Sequence, residues 1–156
     1  MELDAAVFHL LRRTLQEHNA NWQAQLPELT KPQYAVLRAV DEHPGIEQAT
    51  VGQQAAIDKA TLASLLPRLE QRGLLSRTID SGDRRRRLLH LTEQGRSVLL
   101  QADSVAESVN GAMLARLSEA EHDQLRRLLL KLADEQDSST TPNQQDAPPH
   151  RSPKNS

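Results

Sequence analysis

The apolar positions of the chain change period twice, and those changes mark its elements. Between residues 2 and 25, Phe8, Leu11, Leu15, His18 and Trp22 recur three and four apart, which puts them on one stripe of a helix. "LPELTKPQY" interrupts that helix. Thr30 with Gln33 has the form of a capping box and Pro32 is tolerated in a first turn, so a second helix starts there and runs to about Val40. Pro44 and Gly45 in "DEHPG" end it. A short helix follows at roughly 48–56, weakened by Gly52. Asp58 then fits the N-cap of a helix over about 59–72, with Leu62, Leu66 and Leu69 as its buried stripe and Gly73 as its stop. Pro67 inside it removes a backbone donor and predicts a local kink.

After Gly73 the chain reads as strands. "LLSRTI" (74–79) and "RRLLHL" (86–91) are strand-like runs joined by a polar turn containing Gly82, which predicts one β-hairpin. Thr92 caps a long helix to about Leu117, and Ser118 with Glu121 forms a second capping box before a leucine-rich helix to about residue 135. From Asp137 to the end the chain is polar and proline-rich, the composition of a disordered tail over 137–156. The expected fold is mainly α with a small β-hairpin.

Composition narrows the picture. Aromatic residues make up 2% of the chain, with Phe8, Trp22 and Tyr34 one of each kind, so the core must be aliphatic, which suits helices packed on helices. The absence of cysteine removes disulfides and thiolate zinc sites and fits a cytoplasmic protein. No apolar run approaches the roughly 18 residues of a membrane span. The acidic start "MELD" lacks the order of a signal peptide, so no membrane partner is expected. No glycine-rich phosphate loop is present, and the six histidines show no HxxxH spacing. Spacing alone does not test a Ser/His/Asp triad, but nothing points to one. The chain is expected to be neither an enzyme nor the holder of a metal or cofactor.

Charge is segregated. The net charge is −2, yet from Arg68 to Arg96 eight arginines face four acids, an excess of +4 that leaves about −6 for the rest. Local charge, not the total, governs contact with phosphates. Two short helices, a tight turn and a basic hairpin follow the order of a winged helix-turn-helix, whose second helix enters a DNA major groove while the hairpin, or wing, flanks it at the minor groove. Double-stranded DNA is therefore the expected partner.

The stretch "DRRRRLLHLT" (83–92) resembles the wing signature of the MarR family of transcriptional regulators: an Asp, an Arg two residues on, a hydrophobic residue, then Leu-Thr before a long helix. "LTKPQYAVLRAV" resembles the family's second helix, and "DKATLASLLPRLEQRGLLSR" its recognition helix and first wing strand. The similarity covers about residues 5–135; Pro67 and Gly52 depart from the usual pattern. The resemblance implies that Asp83 pairs with and orients Arg85, whose guanidinium enters a minor groove, where a narrow A·T-rich duplex concentrates negative potential. Arg84, Arg86 and Arg87 would clamp phosphates, setting register but not sequence. On the recognition helix Lys59, Ala60, Thr61, Ser64 and Arg68 lie off the leucine stripe and are candidates for base edges and phosphates.

The resemblance also implies a homodimer built from interleaved chain ends. The wide apolar faces of the long helices, including Leu125, Leu128, Leu129, Leu130 and Leu132, support this, because one small winged domain cannot bury them alone. The expected organisation is one domain over 1–136, with dimerisation segments 1–28 and 98–136 and a DNA-binding segment 29–97. Members of the family commonly release DNA when a small aromatic acid binds between these parts. "LLRRTLQEHNANW" is similar to the first helix of regulators of aromatic-acid catabolism, such as those for nicotinate or hydroxybenzoate. Arg12 offers a carboxylate partner, His18 and Trp22 an imidazole and an indole for a ring, and Tyr34 a hydroxyl. Arg13 and Arg38 read as solvent-facing. The expected function is repression relieved by a small aromatic carboxylic acid. The alternatives are a metal-responsive regulator using "DEHP" or "EAEHD", and a DNA binder with no effector.

Overall fold

The structure, a computed structural model, describes residues 6–134, which fall into two compact units, one ending at Ala115 and the other starting at Arg116. The first residues of the first predicted helix and the predicted tail, 137–156, lie outside the described residues. The first unit runs α1 (Val7–Gln25), α2 (Lys31–Glu42), β1 (Ile46–Glu47), α3 (Gln48–Gln54), α4 (Lys59–Gln71), β2 (Leu75–Ile79), β3 (Arg87–Leu91) and α5 (Glu93–Leu114).

α2, α4 and α5 each start where a side chain accepts free backbone donors of the first turn, whereas α1 and α3 begin without a side-chain cap. Thr30 and Gln33 form the reciprocal box at α2, Asp58 accepts from the Thr61 N–H at 2.8 Å, and Thr92 accepts from the Gly95 N–H at 2.9 Å. The Asp58 carboxyl is held below its usual range because it accepts from the Thr61 hydroxyl and N–H. At the far end of α4, Gly73 bonds back to Glu70 and Leu74 to Leu69, the paired bonds of a Schellman stop. The Thr92 hydroxyl also donates to the Gly73 carbonyl at 2.5 Å, so one side chain fastens the end of α4 to the start of α5.

Pro67 lies inside α4, which runs as one α-helix from Lys59 to Gln71. Pro67 and Ala63 both lie on the exposed side of the helix, so the backbone bond that proline removes is lost at the surface and not in the core. α3 ends at Gln54, two residues short of its expected end, and Gly52 inside it has a packing role. A side chain there would bring its Cβ to 3.1 Å from the Ile57 carbonyl and 3.3 Å from Leu62, so the glycine lets α3 close on the loop and on α4. α5 ends at Leu114, three residues earlier than its pattern suggested.

The hairpin forms as expected, with Leu75 opposite Leu91 and Ile79 opposite Arg87. A third strand was not foreseen. β1 pairs antiparallel with β3, Ile46 opposite Leu89 and Glu47 opposite Leu88, giving the order β1-β3-β2. Two residues are too few to carry a period, so nothing local announces them.

The core is aliphatic. Val36, Leu37 and Val40 of α2 meet Leu62, Leu66 and Leu69 of α4, and Leu74, Leu89 and Leu99 close the cluster. The stripe of α1 enters the buried interior only at Trp22; Phe8 and Leu15 remain exposed.

The second unit is α6 (Glu119–Asp134), started by the predicted box: the Ser118 N–H donates to Glu121 at 2.8 Å and the Glu121 N–H to the Ser118 hydroxyl at 3.3 Å. Those bonds from Ser118 hold the Glu121 carboxyl below its usual range. Leu125, Leu128, Leu129, Leu130 and Leu132 of this helix are exposed. Among the described residues no helix is long and apolar enough to cross a membrane.

Candidate nucleic-acid interface

The buried face of α4 is Leu62, Leu65, Leu66 and Leu69, and this leaves Lys59, Ala60, Thr61, Ser64 and Arg68 exposed. Their side chains are short except at the two cationic ends, so a helix carrying them can lie deep in a major groove, where alanine and threonine methyls suit the thymine methyl. Thr61 is partly committed, since its hydroxyl donates to Asp58 at 2.6 Å. Between the start of α2 and this face lies a hollow of about 470 Å³ bounded by Thr30, Gln33, Ser64 and Arg68.

The wing stands beside α4, separated from it by a cleft of about 710 Å³ floored by Gly52, Ile57 and Leu62 and rimmed by Lys59, Arg85 and Arg87. Arg77 of β2 pairs with Glu70 of α4 at 2.6 Å, fixing the hairpin against the end of the helix it flanks. At the tip, Asp83 accepts from the Arg85 backbone N–H at 3.0 Å and from the Arg85 Nε at 3.3 Å. The Arg85 side chain is 92% exposed, so its carboxylate partner orients it without covering it. Arg84 and Arg87 are exposed, and Arg87 donates to the Arg84 carbonyl at 2.7 Å. Arg86 points elsewhere, donating to Glu47 and, at 2.9 Å, pairing with Asp80.

The residues expected around a ligand separate into two groups. At the meeting of α1, α2 and α5, the Lys31 ammonium donates to His18 Nδ1 at 2.7 Å, and His18 Nε2 donates to Asn110 at 2.7 Å. Burial pushes the Lys31 ammonium below its ordinary pKa. Trp22 and Tyr34 lie alongside with ring centroids 5.0 Å apart. Trp22 is 3% exposed and donates its indole N–H to the Leu29 carbonyl at 2.6 Å, so its ring is part of the packed interior. Arg12 is not brought to this cluster; it is exposed and donates to His9 at 3.1 Å. Arg38, expected to face solvent, is half-buried and bridges Glu42 at 3.0 Å and Asp103 at 3.6 Å.

Sequence reasoning missed Lys31, Asp103, Asn110, Glu47 and Asp80. Asn110 stands 92 positions from His18 and Glu47 stands 39 from Arg86. No local pattern carries such pairings.

A model of the MarR family matches residues 29–86. The chain is 46% identical over 132 residues to the transcriptional regulator HosA of Escherichia coli, covering 85% of this chain and 98% of that one. The chain belongs to the MarR family. Solved structures of two other regulators resemble this MarR-family chain. PcaV of Streptomyces coelicolor in complex with its natural ligand matches with a TM-score of 0.82 at 37% identity, over 86% of this chain and 96% of that one. BpsR of Bordetella bronchiseptica, whose DNA binding is regulated by 6-hydroxynicotinic acid, matches with a TM-score of 0.82 at 34% identity, over 86% and 97%. This member is thus a mainly helical winged-helix transcriptional regulator.

Proposed function

We propose that the chain is a homodimeric repressor that grips a near-palindromic operator with two recognition helices and two wings, and releases it when a small aromatic carboxylic acid binds. The observation that carries this reading is the wing tip: a fully charged guanidinium, Arg85, projects into solvent while Asp83 sets its direction. Lys59, Ala60, Thr61, Ser64 and Arg68 serve the major groove, and Arg84 and Arg87 the phosphates. The exposed Phe8 and Leu15 of α1 and the leucines of α6 supply apolar surface for a second copy, in keeping with dimerisation segments 1–28 and 98–136 around a DNA-binding segment 29–97.

The effector reading rests on the Lys31–His18–Asn110 chain beside Tyr34. A partly desolvated ammonium next to an imidazole and a phenol offers an aromatic acid a cation for its carboxylate and polar groups for its ring substituents. The cluster joins α1 and α5 to α2, so an acid seated there bears on the helices that carry the DNA-binding half. The regulation of BpsR by 6-hydroxynicotinic acid favours this class of ligand.

The test is a panel of hydroxylated benzoates and nicotinates, with divalent metals as a separate arm, titrated against Trp22 fluorescence and against affinity for the operator selected from a random duplex pool. Trp22 is the one indole, so its emission reports this cluster alone. An acid that shifts the fluorescence and weakens operator binding supports the reading. Silence across the acid panel overturns it, and a response to metals alone favours a metal-sensing regulator.

A further inference from the structure

The four consecutive arginines are not equivalent once the wing has folded. Arg84, Arg85 and Arg87 turn outward, whereas the Arg86 guanidinium reaches back to two carboxylates, donating through Nε to Glu47 and through Nη1 to Asp80 at 2.9 Å. Its neighbours hold it in place. Asp80 accepts from the Gly82 N–H at 2.8 Å, and its own N–H donates to the Arg86 carbonyl at 3.2 Å, closing the base of the turn. Glu47 ends β1, precedes the first residue of α3, and pairs in register with Leu88 of β3. One guanidinium therefore ties both strands of the wing to the point where the helix-turn-helix begins.

Electrostatics separates this residue from its neighbours. An arginine facing two carboxylates is part of a cluster with net charge −1, so bringing it to a phosphate releases no condensed counterion. The three side chains are 48%, 33% and 20% exposed for Arg86, Glu47 and Asp80, and ion pairs so placed contribute little to stability. What they fix is direction. We propose that Arg86, Glu47 and Asp80 act as a buckle that sets the angle of the wing against the recognition helix, making Arg86 and Glu47 positioning residues for operator recognition rather than phosphate contacts. The proposal rests on the reading of the wing as a DNA-binding element.

The experiment measures binding of the full chain to its selected operator and to a random duplex across a range of salt, for Glu47→Gln, Arg86→Gln, the double variant and Arg85→Gln. Arg86→Gln is expected to leave the salt slope unchanged while lowering the operator-to-random ratio about tenfold, the scale of one lost base-pair contact. Glu47→Gln is expected to lower that ratio similarly, although it removes a negative charge near DNA. The double variant should be no worse than either single, because both break one unit. If Arg86→Gln lowers the slope by about 0.9 and Glu47→Gln tightens both duplexes, Arg86 is a phosphate contact and the buckle is wrong. If Arg85→Gln leaves affinity and slope intact, the wing does not dock on DNA, and both the buckle and the reading beneath it fall.

Discussion

Tyr34 of α2 donates its phenolic hydroxyl to Asp103 of α5 at 2.9 Å, joining two helices through residues 69 positions apart. Burial, then the hydrogen bond to Asp103 and its negative charge, push the phenol from an ordinary 10.0 up to about 12. The neutral phenol is the form that folding favours. Its contribution to stability is whole below pH 10.0 and is lost as pH rises toward about 12. Tyr34 is the sole tyrosine, so tyrosinate absorbance follows this group alone. The native midpoint should lie near 12, and Asp103→Asn should lower it without restoring 10.0, because burial is the largest cause. A midpoint at 10.0 in the folded wild type contradicts the contact.

Gly95 is the third residue of α5 and packs on the Leu74 backbone so closely that an added Cβ would overlap the Leu74 carbonyl oxygen. Main chain on both sides leaves nothing flexible to yield. Gly95→Ala is expected to destabilise the fold by about 1–3 kcal/mol, even though alanine is the better helix former. Urea unfolding checks this, and a variant as stable as wild type would show that α5 can shift at its start.

Ala56 lies in the turn between α3 and α4 with φ 53°, in the left-handed region. That conformation costs an L-residue about 1–2 kcal/mol, against which glycine's extra backbone entropy counts about 0.5–1 kcal/mol. Ala56→Gly should therefore raise stability by up to about 1 kcal/mol, and Ala56→Val should lower it. The order of the three urea midpoints decides the matter; a glycine variant below wild type would refute the strain.

Arg85→Ala removes a wing cation whose side chain is 92% exposed and touches nothing in the core. Operator affinity should fall by tenfold or more, a loss of about 1–3 kcal/mol, with the random duplex less affected and the thermal midpoint unchanged. Filter or fluorescence-anisotropy binding at fixed salt measures the ratio. Equal losses on both duplexes would assign Arg85 to phosphates instead of the minor groove.

Local patterns make much of this molecule legible in the sequence. Thr30, Asp58, Thr92 and Ser118 each announce a helix start because capping depends on residues only three apart. The leucine spacing of α4 defines its buried face, and the exposed recognition residues follow as its complement. The wing was visible because strand pairing across a tight turn is local, and because Asp83 reaches Arg85 over two positions. Pro67 was readable as an anomaly, but whether it breaks α4 depends on where the orphaned carbonyl points, and that is set by packing.

What the sequence by itself determined was the order of the helices and the hairpin, the aliphatic character of the core and the segregation of positive charge, since each depends on residue type and short spacing. The tertiary structure alone decided which arginine stays free and which is neutralised, because Glu47 reaches Arg86 from 39 positions away. It likewise brought Lys31 and Asn110 to His18, separated Arg12 from that group, and turned Arg38 toward Asp103. Charge can be counted along a chain, but its availability to a partner depends on which opposite charges folding places beside it.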